Sequence, residues 1–321
     1  FRIGRGLWQI WVSIALSLVS LFIKKHDVCL VYSPPLPLCL AGILNSKLKG
    51  TKVVLNIQDL VPQSIIDLGM LKNPSLIQIF KNLEVFCYQH SDHITVMSEG
   101  NLEHVQFHGA SKDKITIIEN WVNLPDSIRH NTVNETLNKH SLLGSNLITF
   151  GGVLGHSQDL DIIINAAKLT IARTDIVWVI VGDGAQKEYL CNSIEDFKLD
   201  NIKLLPMLPR NEYETILTNS KLGLATLKSV VKTPVVPSKI YSIMASGIPV
   251  ICSMESSGDA PKLVEKIKCG INISPENHSQ LAESVIRLVD NDDLREELGK
   301  NGLNYIKNHL NVSNATIKYQ E

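Results

Sequence analysis

From residue 27 onward, short apolar runs alternate with longer segments in which apolar residues recur at helical spacing. The runs "DVCLVYS", "KVVLNIQD", "HITVMS" and "KITIIEN" predict four strands in the first half, each bounded by turn residues. Between them, "PLCLAGILNSKLKG" and "PSLIQIFKNLEVFCYQHS" carry helical periodicity. After residue 146 the alternation restarts, with strands at "LITFGG", "IVWVIVGDG", "IKLLPM", "LGLATL", "PVICS" and, more weakly, "GINIS". Helices are expected at "LDIIINAAKLTIAR", "AQKEYLCNSIEDF", "RNEYETILTNS", "KIYSIMAS" and "HSQLAESVIRLVD", and a polar amphipathic one at "DDLREELGKNGLNYIKNHL". Near-continuous apolar strands separated by helices indicate parallel sheets covered on both faces. The polar stretch "NLPDSIRHNTVNETLNKHSLLGSN" interrupts this pattern and reads as a boundary between two domains, 1–130 and 131–321.

The opening segment is different. Residues 7–23, "LWQIWVSIALSLVSLFI", are apolar apart from Gln9 and several serines, with Arg2 and Arg5 before them and Lys24 and Lys25 after. Three readings stay open: a buried or interfacial helix, a helix lying in a membrane surface, or a short span. Anionic lipid on an inner leaflet would attract the flanking charges. No cleavage site follows, so a signal peptide is not expected. The chain begins with Phe1 rather than Met, and a preceding N-terminal piece is expected.

Composition narrows the class. With 321 residues, 44% hydrophobic and 20% charged, the chain can bury two cores. A net charge of −1 excludes a whole-protein nucleic-acid footprint. The six cysteines are scattered, several of them in apolar runs and none in a C-x-x-C pair. They read as reduced cysteines of a cytosolic protein, with no zinc site. His26, His90, His93, His104 and His108 show no spacing that argues for a site. No nucleophile elbow, Walker loop or H-E-x-x-H run is present.

The motifs that remain suit a phosphorylated ligand. In "FGGVLGHSQDLD", Gly151, Gly152 and Gly155 form a loop poor in side chains, with His156, Ser157 and Gln158 as donors. Such a loop fits a diphosphate or is a plain structural turn. Gly182, Asp183 and Gly184 lie between a strand and a helix, where glycines admit a ligand to the backbone or merely form the turn. A dinucleotide fingerprint would need a third glycine at Lys187, so a dehydrogenase is disfavoured. In "VVPSKIYSIMASGIPVICS", Pro237 restrains the turn, Ser238 is a plausible N-cap, and Lys239 sits in the first helical turn. A lysine there opposes the helix dipole, which makes sense if an anion arrives to pair with it; otherwise it is a solvated lysine. Asp59, at the end of "KVVLNIQD", either faces a cleft as a base or hydroxyl acceptor, or caps a helix. Ser98, Glu99, Glu119, Asn120 and Trp121 fall at the next strand ends, Trp121 as a packing residue or a stacking surface.

Taken in order, "YSPPLPLCLAG", "QDLVPQS", "SDHITVMSE", "IIENWVN", "GGVLGHSQDLD", "VGDGAQKEYL" and "PSKIYSIMASGIPV" resemble the family 4 retaining glycosyltransferases. The likeness is in particular to the WbuB-like, colanic-acid-type enzymes of bacterial surface polysaccharide synthesis, and runs from about residue 27 to about residue 310. The resemblance implies an α/β protein of the GT-B fold, two doubly wound Rossmann-like domains facing a cleft. It implies an acceptor-side domain over 1–130, its first strand and Gly-rich loop lying before Phe1, and a nucleotide-sugar domain over 131–321 with a terminal helix. The expected reaction moves a sugar, with retention, from a nucleotide sugar (a UDP-sugar, by resemblance) to a lipid-linked or oligosaccharide acceptor. The setting is capsule, O-antigen or exopolysaccharide assembly, on the inner face of the cytoplasmic membrane. Neither metal nor cofactor is implied, and no nucleic acid.

By carry-over, Asp59 and Lys239 are the catalytic residues. Gly152, Gly155, His156, Ser157, Ser238 and Lys239 bind the donor diphosphate, and Gly182, Asp183, Gly184 and Ser242 the nucleotide. Ser98, Glu99 and Asn120 line the acceptor side. The sequence departs from the family where two glutamates flank the apolar helix: Pro234 and Ser242 stand there. The loop also lacks the family's usual Arg and Lys, with Val153 and Gln158 in that region. A non-catalytic protein of the same fold, or a nucleotide-sugar epimerase, are the rival expectations.

Overall fold

The computed structural model describes residues 2–125 and 130–320. The chain divides into two compact units, Phe1–Glu119 with Lys232–Val235, and Asn120–Val231 with Val236–Glu321. The expected boundary at 130/131 borders residues 126–129, which lie outside the described ones.

In the first unit the order is α1 (Arg2–Phe22), β1 (Val28–Ser33), α2 (Cys39–Lys49), β2 (Lys52–Ile57), α3 (Gln63–Asp67), α4 (Pro74–His90), β3 (His93–Val96), α5 (Glu99–Phe107) and β4 (Ile115–Ile117). The four strands lie side by side in chain order, all parallel. Their apolar side chains (Val53, Leu55, Ile57, Ile94, Val96) meet Cys39, Ile43, Cys87 and Tyr88 in one core. Each such side chain taken from water contributes about 1.5–3 kcal/mol. The segment Lys232–Val235 is tied into this unit by Asp67, which accepts from the Lys232 N–H and the Thr233 hydroxyl. Asn101 donates to the Pro234 carbonyl at 2.9 Å.

α1 is inverted relative to an ordinary amphipathic helix. Among its described side chains Ser13 is the buried one, whereas Trp8, Trp11, Leu18, Val19 and Phe22 are exposed, Phe22 at 89%. Its attachment to α2 is polar: Asn45 donates to the Ser20 hydroxyl at 2.7 Å, and the Lys49 ammonium to the carbonyls of Ser20 and Ile23. Among the described residues no helix is long and apolar enough to cross a membrane.

The second unit contains α6 (His130–Lys139), β5 (Asn146–Gly151), α7 (Asp161–Leu169), β6 (Ile176–Val181), α8 (Lys187–Asp196), β7 (Ile202–Leu205), α9 (Arg210–Thr218) and β8 (Leu222–Thr226). It continues with α10 (Ser238–Ala245), β9 (Val250–Ser253), α11 (Asp259–Ile267), β10 (Gly270–Ile273), α12 (His278–Val289), α13 (Asp292–His309) and α14 (Val312–Gln320). Its six parallel strands are ordered β10-β9-β8-β5-β6-β7. Counted within the unit this is 6-5-4-1-2-3, the Rossmann order, which reverses between β5 and β8. Trp178 is fully buried on β6, and its indole N–H donates to Thr170 Oγ1 at 2.9 Å, so its one polar atom is satisfied inside the core.

All ten expected strands are present. The polar stretch read as a boundary contains α6, which packs Val133 and Leu137 against Ile216 and Tyr213 of α9.

Candidate functional site

Parallel sheets of this order open a crevice at the carboxyl ends of the strands, where the order reverses. In the second unit the loops after β5 and β6 and the start of α10 occupy that edge. α10 is fixed from below: Ile240, Tyr241, Ile243 and Met244 are buried, and Gly223 of β8 lets the helix sit close. A Cβ at Gly223 would lie 2.4 Å from Ile243 Cγ1. Gly247, at φ 71°, ends the helix in the left-handed region that favours glycine. Lys239 and Ser242 remain half-buried, three residues apart and so on one side of the helix.

Ser238 is not the N-cap. It is the first helical residue, the cap position is Pro237, and no side chain caps this end. The Lys239 ammonium donates to Gln158 Oε1 at 2.7 Å and lies 3.7 Å from the centre of the Phe150 ring. A Cβ on Gly152 would stand 3.7 Å from Nζ. Gly152 has φ 130°, so an L side chain there would be strained. Desolvation pushes the Lys239 pKa down to about 7. A neutral amide and a ring face hold this cation, and among the described residues no carboxylate pairs with it. Such a site lowers its energy by taking an anion.

The loop after β5 rests on the turn after β6, backbone against backbone. Leu154 N–H donates to the Asp183 carbonyl at 2.9 Å, and Gln186 N–H to the Leu154 carbonyl at 2.9 Å. A Cβ at Gly182 would lie 2.0 Å from the Gly152 carbonyl oxygen, and one at Gly184 would lie 2.5 Å from that of Leu154. These two glycines admit the neighbouring loop. Asp183 is satisfied locally, accepting from the Lys187 ammonium at 3.0 Å and the Gly184 N–H at 2.7 Å; the Lys187 bond comes first in holding its carboxyl below the usual value. Gly155 accepts from the Gln158 N–H, Ser157 Oγ from the Gln158 side chain, and His156 is exposed. Asp159, absent from the expectations, is buried and accepts from Ile162 and Glu276 N–H groups, which pins the loop's far end. Phe150 was also missed: an aromatic inside a strand reads as core until its face meets a charge.

In the first unit Asp59 and Ser98 each follow their strand by two residues, β2 and β3 being neighbours in the sheet. Asp59 is open to solvent on one side, yet desolvation from the protein around it raises its carboxyl pKa. It does not cap α3, whose cap position is Pro62. Ser98 caps α5 by accepting from the Asn101 N–H at 3.3 Å, and Glu99 is exposed in that helix's first turn. Asn120 is half-buried and opens the second unit. Trp121 is exposed and meets Tyr319 of α14 edge-on, ring centres 6.4 Å apart.

With this geometry described, three comparisons bear on the chain. Residues 133–305 match the family model described as glycosyl transferases group 1. A protein named as a glycosyltransferase, WbjE of Pseudomonas aeruginosa, is 24% identical over 295 residues, 90% of this chain and 72% of the relative. WcaI of Escherichia coli (strain K12), named for glycosyl transfer in colanic acid biosynthesis, is 22% identical over 259 residues, 78% of this chain and 63% of its own length. Among solved structures, Anabaena HepE in complex with UDP superposes with a TM-score of 0.77 at 16% identity, over 95% of this chain and 81% of that one. The two-sheet α/β fold is therefore the GT-B fold of these structures.

Proposed function

We propose, from the premise that this chain belongs to the glycosyl transferases group 1 family, that it moves a sugar from a UDP-sugar to a lipid-linked sugar acceptor in the assembly of a bacterial surface polysaccharide. The observation that carries this reading is the desolvated, carboxylate-free ammonium of Lys239 at the first turn of α10. WbjE and WcaI are named for glycosyl transfer, the latter in colanic acid biosynthesis, and HepE was crystallised with UDP; these support the choice of pathway class and donor.

In this reading the bond from the anomeric carbon to the diphosphate oxygen breaks, and its electron pair goes to the departing UDP. Lys239 and the amide groups of the α10 start and of the Gly152–Ser157 loop stabilise that charge without a metal ion. Ser238 and His156 lie on the exposed rim of the same loop and helix start and add hydrogen bonds to the phosphates. Gly182, Asp183 and Gly184 form the floor beside the nucleotide, and Ser242 offers its hydroxyl to the ribose. On the acceptor side, Asp59 takes a hydrogen bond from the attacking hydroxyl, with Ser98, Glu99 and Asn120 shaping that side. Transfer proceeds with retention at the anomeric carbon. The outward apolar side chains of α1, with Lys24 and Lys25 just beyond it, lay the first unit on the inner face of a membrane where the acceptor resides.

Titration calorimetry with UDP-glucose and UDP, on the wild type and on Lys239→Ala, tests the donor site. Binding by the wild type that is lost in the variant is expected; no binding of either ligand by the wild type sinks the proposal. A second reading, a non-catalytic protein of the same fold, draws on Ser242, which gives a neutral hydroxyl where the family resemblance expects a carboxylate. Donor binding without transfer to a lipid-diphosphate-linked sugar would favour it.

A further inference from the structure

The first unit holds a cluster of ligating side chains away from every residue assigned above. Glu84 lies on α4, His104 in the last turn of α5, and His108 at the C-terminal cap of α5. One ligating atom from each lies within 4.8 Å of the other two. From these residues we infer that the first unit binds a divalent d-block cation, Zn²⁺ by donor chemistry, through Glu84, His104 and His108.

Three observations carry this assignment. The first is spacing: His104 and His108 stand four residues apart, so they leave the helix on one side, with ring centres 4.1 Å apart. The second is orientation. His108 Nδ1 lies 2.8 Å from the His104 carbonyl, and with the proton on Nδ1 the other nitrogen, Nε2, presents its lone pair. A ring nitrogen bonded to a backbone carbonyl is the usual way a metal-ligating imidazole is held. The third is the carboxylate. Glu84 is 1% exposed, and its Oε1 is met by the Tyr88 hydroxyl and by His104 Nε2, each at 2.9 Å. Both of these bonds use one oxygen, and among the described residues no lysine or arginine pairs with Glu84.

The geometry is close to what a metal needs. Bonds of about 2.0–2.1 Å at tetrahedral angles place ligand atoms about 3.4 Å apart. His104 Nε2 and Glu84 Oε1, at 2.9 Å, open slightly to admit the ion, and the third ligand closes in. Two imidazoles and a carboxylate form a three-ligand set that leaves the fourth position to water, and this donor type suits Zn²⁺, Co²⁺ and Ni²⁺ over Mg²⁺ or Ca²⁺. Its structural effect is a clip between α4 and the C-terminal end of α5.

The test uses tag-free full chain, stripped with a chelator and titrated with Co²⁺, then Zn²⁺. One equivalent of Co²⁺ is expected to give the intense visible bands of a tetrahedral site, and Zn²⁺ to abolish them and to raise Tm. His108→Ala, at a partly exposed helix end, and Glu84→Gln, which keeps the carboxamide shape, are expected to weaken Co²⁺ binding at least ~10-fold. Circular dichroism verifies that each variant is folded. A wild type without the Co²⁺ bands overturns the inference, as do folded variants that bind Co²⁺ as tightly as the wild type. Donor binding is measured separately at Lys239 in the other unit, so failure here leaves the glycosyltransferase reading standing.

Discussion

The turn after β6 and the start of α10 lie on the same edge of the second sheet, and the sequence presents both as nucleotide contacts. The glycines of the turn are filled by the protein itself, with carbonyls of Gly152 and Leu154 where their side chains would be. The lysine at the start of α10 is held by a neutral amide and a ring, and burial has already weakened its hold on its proton. A glycine at a strand end records that some backbone approaches closely, without saying whose. A desolvated cation without a carboxylate points outside the chain.

Four measurements break or sharpen that contrast. The largest effect is expected from Lys239→Met, which should lower kcat about 10²–10³-fold in a transfer assay. Its Tm should hold or rise, because a charge that is costly to desolvate has been removed.

The second is pH. With Lys239 at about 7 in the free protein, donor affinity is full below that pH. Above it, affinity falls by up to about tenfold per pH unit, until the pKa raised by the bound diphosphate takes over. The two diphosphate charges of UDP-glucose stay fixed across that pKa, so calorimetry from about one pH unit below it to about one above, run beside His156→Ala to remove the imidazole, follows the lysine. Stability has the opposite slope: the folded state binds fewer protons than the unfolded one from about 7 to about 10.5, so Lys239 makes stability rise with pH across that window. Lys239→Met should flatten the stability curve.

Third, Gly182→Ala should cost about 1–3 kcal/mol in denaturant unfolding, since its Cβ collides with the Gly152 carbonyl. A variant as stable as the wild type would show that the loop can retreat. Smallest, Ser242→Glu should tighten UDP-glucose binding about 3–10-fold by calorimetry, as a carboxylate makes charge-assisted bonds to ribose hydroxyls.

How far the sequence carried differs by element, for physical reasons. All ten strands were legible because buried parallel strands are continuous apolar runs. α6 was lost because "HNTVNETLNK" shows only a narrow apolar stripe. α11 was hidden by Pro261, which reads as a breaker but stands third in the helix, where its missing N–H has no partner to lose. α14 is short and mostly polar. In the site, Lys239 was legible from local turn chemistry, whereas Gln158 and Phe150 reach it only through the fold. The His104–His108 spacing was present in the letters, but without α5 recognised as a helix it had no face to share.

The inverted seating of α1 has a practical corollary. Its grip on α2 is a set of hydrogen bonds from Asn45 and Lys49 to the Ser20 hydroxyl and the carbonyls of Ser20 and Ile23. Rolling the helix to hide Trp8, Trp11 and Phe22 would break the Asn45–Ser20 bond, leaving the Asn45 amide with its bond to the Ala41 carbonyl. In this structure the apolar side faces outward. On a chromatography column or in a concentrator, that side will adhere to plastic, to detergent micelles and to other copies of itself. Retention that shifts with detergent, and is cured by Trp8→Ser with Trp11→Ser, is the laboratory signature of this outward apolar side.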